Sequence, residues 1–173
     1  MIDMTERTTG QAGTRRRTWA AYAAAAWAGV FAAVSLYWAL GGMIGIDTVG
    51  GQIEELARSG DAAGSALAWG ATLLKVAGVI FALALVQRWG RVFPRALMLT
   101  AGWAGTAVLI GYGGLTVGTE LLVATGLVEP PAGIDWFAFY WHLALWDPYF
   151  LIWGVLLGIA VRQYQVAHSA PTP

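Results

Sequence analysis

The chain has 173 residues, of which 58% are hydrophobic and only 12% charged, with ten basic and ten acidic side chains that cancel. Mean hydropathy is +0.60. A soluble domain averages about a quarter charged, so the composition excludes an ordinary soluble domain and points to one integral membrane domain whose main partner is the lipid bilayer. No nucleic-acid partner is indicated. The absence of cysteine excludes a disulfide framework, a thiol redox pair and a cysteine metal site.

Residues 1–18 are polar, rich in Thr and Gly, and end near Arg15, Arg16 and Arg17. They read as a disordered cytoplasmic tail. The first apolar run, Trp19 to Leu40, is closed by Gly41 and Gly42, which sets a span of about 19–41. About 22 residues at ~1.5 Å each reach ~33 Å, enough to cross ~30 Å of hydrocarbon. A signal peptide has an apolar core of only about 7–15 residues, although the Arg triplet leaves a twin-arginine signal as the alternative. Residues 42–65 form a polar loop with Asp47, Glu54, Glu55 and Asp61. Within it, Gln52 to Arg58 suits a short helix with Ile53, Leu56 and Ala57 on its apolar side.

A second span covers about 66–87 and contains Lys75 as its one charge. A basic turn with Arg88, Arg91 and Arg95 follows, and Pro94 suits the start of a new helix. The third span runs over about 96–118. The chain stays apolar beyond it to about Val128, apart from Glu120, which reads as an outer-interface residue. A loop from Glu129 to Asp135 leads to the fourth span, about 136–163, which holds His142 and an Asp147-Pro148 pair. The membrane domain thus covers 19–164, and 165–173 form a cytoplasmic tail.

Four spans place both termini on one side. That side, with the turn between spans two and three, carries Arg7, Arg15, Arg16, Arg17, Arg88, Arg91, Arg95 and Arg162, eight of the ten basic residues. The positive-inside rule then makes both termini cytoplasmic. Eight of the ten acidic residues fall in the two intervening loops and their edges.

Apolar burial does not drive helices together in lipid, so close backbone approach must contribute. Small residues recur four apart at Ala25, Gly29 and Ala33, at Ala101 and Gly105, at Gly114 and Gly118, and at Gly154 and Gly158. The spacing serves a compact bundle or a homo-oligomer equally well. Among ten tryptophans, Trp19, Trp38, Trp69, Trp89 and Trp136 suit interfacial belts. Trp146 and Trp153 lie deeper, where packing is the simpler reading and a pocket lining the other.

The polar residues inside the spans are the candidates for function. A mid-membrane Lys costs at least ~2.5–3.5 kcal/mol on insertion scales, so Lys75 faces protein or water, unless it snorkels outward. Lys75 lies 13 residues before Arg88 and Asp147 lies 15 before Arg162. These separations are ~20 and ~22 Å at helical rise, which predicts a Lys75–Asp147 pair between spans two and four. The pair reads as a structural clamp, or else as a proton- or ion-coupled site or an anchor for an anionic headgroup. Asp147-Pro148 either kinks span four or starts a second helix there. A break would line a wet outer pocket walled by His142, Trp146 and Asp147.

His142 is five residues before Asp147 and so off its face in a regular helix. It reads as an interfacial His, ahead of a proton relay or a haem ligand. Tyr37 reaches the same region from span one, and Glu120 is the fallback partner for Lys75. Phosphate-loop, zinc-protease and nucleophile-elbow motifs are absent. No catalytic residue, metal site or cofactor is predicted.

Tyr37-Trp38-Ala39-Leu40-Gly41-Gly42 and Trp146-Asp147-Pro148-Tyr149-Phe150-Leu151, with Gly154 and Gly158, resemble a family of small four-span membrane proteins from high-GC bacteria. That family is known only as a domain of unknown function. The resemblance implies an inner-membrane four-helix protein and brings no activity with it. The reading is therefore an all-α, polytopic four-helix bundle in a bacterial plasma membrane. As a function it predicts a structural or interaction subunit rather than an enzyme. A small proton- or ion-coupled transporter is the alternative, and a lipid-acting membrane enzyme comes third.

Overall fold

The computed structural model describes residues 18–168. The expected N-terminal tail with its arginines, and the end of the C-terminal tail, lie outside them. The described residues form helices joined by turns and loops, with no strand among them. Four of its helical stretches are long and apolar enough to cross a membrane, so this is a multi-pass membrane protein.

Helix α1 is Trp19–Ala39. Its alanines make one smooth stripe: Ala20, Ala21, Ala24, Ala25, Ala28 and Ala32 are buried, with Phe31 and Ser35 continuing the face. Side chains this small let neighbouring backbones approach closely. The predicted packing position Ala33 is exposed instead.

After a single 3-10 turn at Ile46–Thr48, helix α2 spans Gly51–Ser59. It matches the short helix expected from Ile53, Leu56 and Ala57, with Arg58 bonded to Glu54 one turn earlier at 2.7 Å. Helix α3, Ala62–Ala84, starts earlier than the expected 66 because Asp61 caps it, accepting from the Gly64 amide at 2.7 Å.

The basic turn forms a second 3-10 segment, Arg88–Val92. Helix α4 then runs from Arg95 to Ala124, past the predicted end near 118. Thr116 and Thr119 stay helical because each hydroxyl bonds the carbonyl four residues back. Glu120 is therefore a helical residue with a fixed direction.

The fourth stretch is continuous from Trp136 to Ala167. It comprises helix α5 (Trp136–Trp141), a π-helical turn (His142–Trp146) and helix α6 (Asp147–Ala167).

The four long elements form a bundle in which α1 packs on α3, α4 packs on α6, and α1 and α6 join the two pairs. Accordingly 44% of the apolar window of α1 and 39% of that of the fourth stretch are buried, against 11% for α3 and α4. The outer helices turn Leu73, Leu74, Val108 and Leu115 outward, each more than 60% exposed, as a lipid-facing surface requires. The α4–α6 seam is closest at glycines. A Cβ on Gly113 would lie 2.5 Å from the Leu151 amide nitrogen, and one on Gly154 would lie 2.9 Å from that of Ile110. Gly158 meets Thr106 in the same seam, whereas Gly114 and Gly118 face open space. Only part of the predicted small-residue spacing is used inside this bundle.

Candidate functional site

The site begins with how the fourth stretch winds. Asp135 starts it by accepting from the Phe137 and Ala138 amides. Thirteen residues after Asp135, Pro148 enters. It has no amide hydrogen to give, and in an α-helix its ring collides with the carbonyl four residues back. The chain widens by one residue here: the Asp147 amide donates to the His142 carbonyl, an i to i−5 bond. Span four is thus not broken into two helices at Asp147 but runs on as one helical stretch with a π-turn just ahead of the proline.

That turn brings His142 and Asp147 together. Their side chains meet at 2.9 Å between Nδ1 and Oδ2. The expectation that a five-residue spacing keeps them apart fails because it assumes 3.6 residues per turn. Asp147 is 2% exposed. His142 Nε2 lies 3.0 Å from the Val49 carbonyl oxygen. A carbonyl only accepts, so Nε2 carries a hydrogen and Nδ1 is the nitrogen that faces the carboxylate.

Val49 belongs to the segment between α1 and α2, which folds back into the bundle. Ile46 is its plug, at 2% exposure. Trp146 Nε1 donates to both the carbonyl and the hydroxyl of Thr48, at 3.1 and 3.2 Å. Trp38 Nε1 donates to the Ile44 carbonyl, and the Ile44 amide donates to the Tyr37 hydroxyl. Gly50 turns the chain with φ of 62°, against Ala138, where a Cβ would lie 2.5 Å from the Ala138 Cβ. Irregular backbone at this depth is tolerated because protein covers it and it lines a cavity.

The cavity holds about 400 Å³. Phe31, Ser35 and Trp38 of α1 form one wall, and Ala68, Ala71 and Lys75 of α3 another. Ile53, Leu56 and Ala57 of α2 form part of its lining, with His142, Trp146 and Tyr149 on the span-four side. The lining is mostly apolar, and Lys75 is its cationic group.

The predicted Lys75–Asp147 pair is replaced by two separate contacts. Lys75 Nζ donates to Ser35 Oγ at 2.8 Å, while Asp147 is taken by His142. Among the described residues no carboxylate pairs with Lys75. The depth count that predicted the pair used unequal rulers. Arg88 lies beyond the end of α3, whereas Arg162 lies inside α6, which continues to Ala167.

Glu120 reaches the other carboxylate instead. One donor atom each from Glu120, His142 and Asp147 lie within 4.8 Å of one another. Glu120 Oε2 is buried, with no hydrogen-bond donor on it. Of the predicted site residues, His142, Asp147 and Glu120 form one cluster. Lys75 and Trp146 line the cavity that His142 also borders, and Tyr37 clasps the segment after α1 through the Ile44 amide. Trp153 is buried in the core rather than in the cavity wall.

Ser35, Thr48 and Val49 were not singled out in the sequence. Ser35 had a readable signal: it continues the stripe of Ala28, Phe31 and Ala32 at helical spacing. Val49 acts through its backbone, which leaves no side-chain signature.

Residues 28–157 match the model of a family described as Protein of unknown function (DUF3995). The match covers well over half of the chain, which therefore belongs to that family. No curated protein and no solved structure matches it.

Proposed function

We propose that the protein binds an anionic amphiphile, with an apolar body and a negatively charged head, in the cavity beneath the external segment. The observation that carries this reading is Lys75. An ammonium group bordering a mostly apolar cavity inside a membrane helix needs a counter-charge. Its partner in the chain is the Ser35 hydroxyl, which is neutral. An anionic head against Lys75, with its chain along Phe31, Ile53 and Leu56, satisfies both the charge and the apolar wall. The size fits as well, since ligand pockets commonly hold about 300–1,000 Å³.

We place this activity in a bacterial plasma membrane, with the cavity on the external side. The arginine distribution supports that orientation. A binding or interaction role needs no catalytic residue. The structural-clamp version of that role loses its support, because Lys75 and Asp147 take different partners.

A labelled fatty acid titrated into the purified full-length protein in neutral detergent tests the reading. The fatty acid is expected to bind at least ~10-fold more tightly than the fatty alcohol of equal chain length, a factor worth about 1.4 kcal/mol. Lys75→Met is expected to erase that preference while the helix content stays the same. Equal affinity for acid and alcohol in the unaltered protein would sink the proposal.

A further inference from the structure

The His142, Asp147 and Glu120 cluster is not explained by amphiphile binding. It lies on the opposite side of the His142 ring from the Val49 carbonyl. Two carboxylates lie close together there, and no Lys or Arg pairs with either among the described residues. Like charges this close repel, and among the described residues the His142 imidazole, 2.9 Å from Asp147, is the one basic group against them, so a bound cation would be held by all three side chains.

We propose that Glu120, His142 and Asp147 form a binding site for a divalent transition-metal cation of the zinc type. The ligands would be His142 Nδ1 and one oxygen from each carboxylate. Three observations carry this. The donors converge from two helical elements, Glu120 from α4 and the other two from the π-turn and the start of α6. The imidazole is oriented from behind, with Nε2–H on the Val49 carbonyl. This is how metal-binding histidines are commonly fixed in tautomer and direction. Finally, Glu120 Oε2 is buried without a donor, an arrangement that leaves a carboxylate oxygen unsatisfied until a cation arrives.

The spacing is suitable. Tetrahedral ligands at ~2.0–2.2 Å from zinc stand ~3.4 Å apart. His142 and Asp147 are already at 2.9 Å, and Glu120 closes the remainder by side-chain rotation within the 4.8 Å group. The donor set decides the class. One imidazole with two carboxylates suits zinc or manganese, whereas calcium and magnesium favour oxygen-only shells. Three protein ligands leave a fourth position open, as in sites that bind water or a ligand atom.

The test uses the full chain, purified in detergent and stripped with a chelator. Zinc chloride is expected to bind at one equivalent per chain and raise the melting temperature. Calcium chloride is expected to do neither. Glu120→Gln should weaken zinc at least ~10-fold, and His168→Ala, the other histidine, should leave it unchanged. Should Glu120→Gln fail to fold, zinc-edge X-ray absorption of the unaltered protein still decides. One imidazole with oxygen neighbours supports the site, and two imidazoles or none overturns it. Absence of zinc binding, or binding untouched by Glu120→Gln, also overturns it. Lys75→Met should leave zinc binding intact, which separates this site from the amphiphile cavity.

Discussion

His142 and Asp147, five residues apart, are hydrogen-bonded at 2.9 Å through a π-turn that precedes Pro148. One extra residue in a single helical turn converts two side chains on different faces into a pair. The same turn sets Trp146 against Thr48 and His142 against Val49. The Ile46–Val49 segment, the fourth span and the carboxylate of Glu120 therefore meet at one place.

The pairing predicts which residues are energetically coupled. Asp147→Asn and His142→Gln should each destabilise by about 1–3 kcal/mol, because each leaves a buried polar partner poorly satisfied. Their double variant should show a coupling of at least ~0.5 kcal/mol, the range for residues in direct contact. Asp147→Asn combined with Lys75→Met should be additive within about 0.5 kcal/mol. Denaturant unfolding in detergent of the unaltered protein, the three single variants and the two double variants measures both couplings. A large coupling between Lys75 and Asp147 would restore the clamp that the structure replaces.

The spans were legible in the sequence because hydropathy over about 20 residues depends on no tertiary detail. Helix α2 was legible for a similar reason: Ile53, Leu56 and Ala57 repeat at helical spacing within a polar loop. Lys75, His142, Trp146, Asp147 and Glu120 stood out because polar and aromatic groups inside apolar runs need partners. Which partners they take was not legible. His142 and Asp147 were judged on a regular helix, and the sequence signal that argues otherwise, Pro148, reads equally as a kink or as the start of a second helix. A proline constrains the preceding turn without saying whether the chain bends, breaks or widens there. The fold-back of Ile46 to Val49 was invisible because its bonds run through backbone carbonyls of Thr48 and Val49. The end of α4 was set too early because Glu120 read as an outer-interface residue, although Thr116 and Thr119 each bond their own helix.

The α4–α6 seam predicts opposite outcomes for two neighbouring glycines. Gly113→Ala drives a Cβ to 2.5 Å from the Leu151 amide nitrogen and 3.1 Å from the Asp147 carbonyl oxygen. Backbone cannot yield locally, so the two helices must part, at a cost of about 1–3 kcal/mol. The separation should also disturb the Asp147 site. Gly114→Ala meets nothing within 4 Å and should be neutral or slightly stabilising, since alanine favours helix by up to about 1 kcal/mol over glycine. Thermal melting of the two variants checks this, and equal effects would show that the seam is not held at Gly113. If Gly114→Ala instead shifts the mass of the detergent-solubilised particle, that outer glycine face serves self-association.

The proposed orientation rests on arginines rather than on acidic residues, which contribute little to topology. Arg88, Arg91 and Arg95 cluster at the turn between α3 and α4. Arg162 lies near the end of α6, at the same end of the antiparallel bundle. The Ile46–Val49 segment, α2 and the α4–α5 loop occupy the opposite end, where the cavity and the cation site lie. Reporter fusions at residues 60 and 130 should therefore report an external location, and one at residue 90 a cytoplasmic one. Replacing Arg88, Arg91 and Arg95 together by Gln removes most of the charge at that turn and should produce a mixed topology. If a fusion at 60 or 130 proves cytoplasmic, the cavity opens inward, and its ligand must be sought among cytoplasmic amphiphiles.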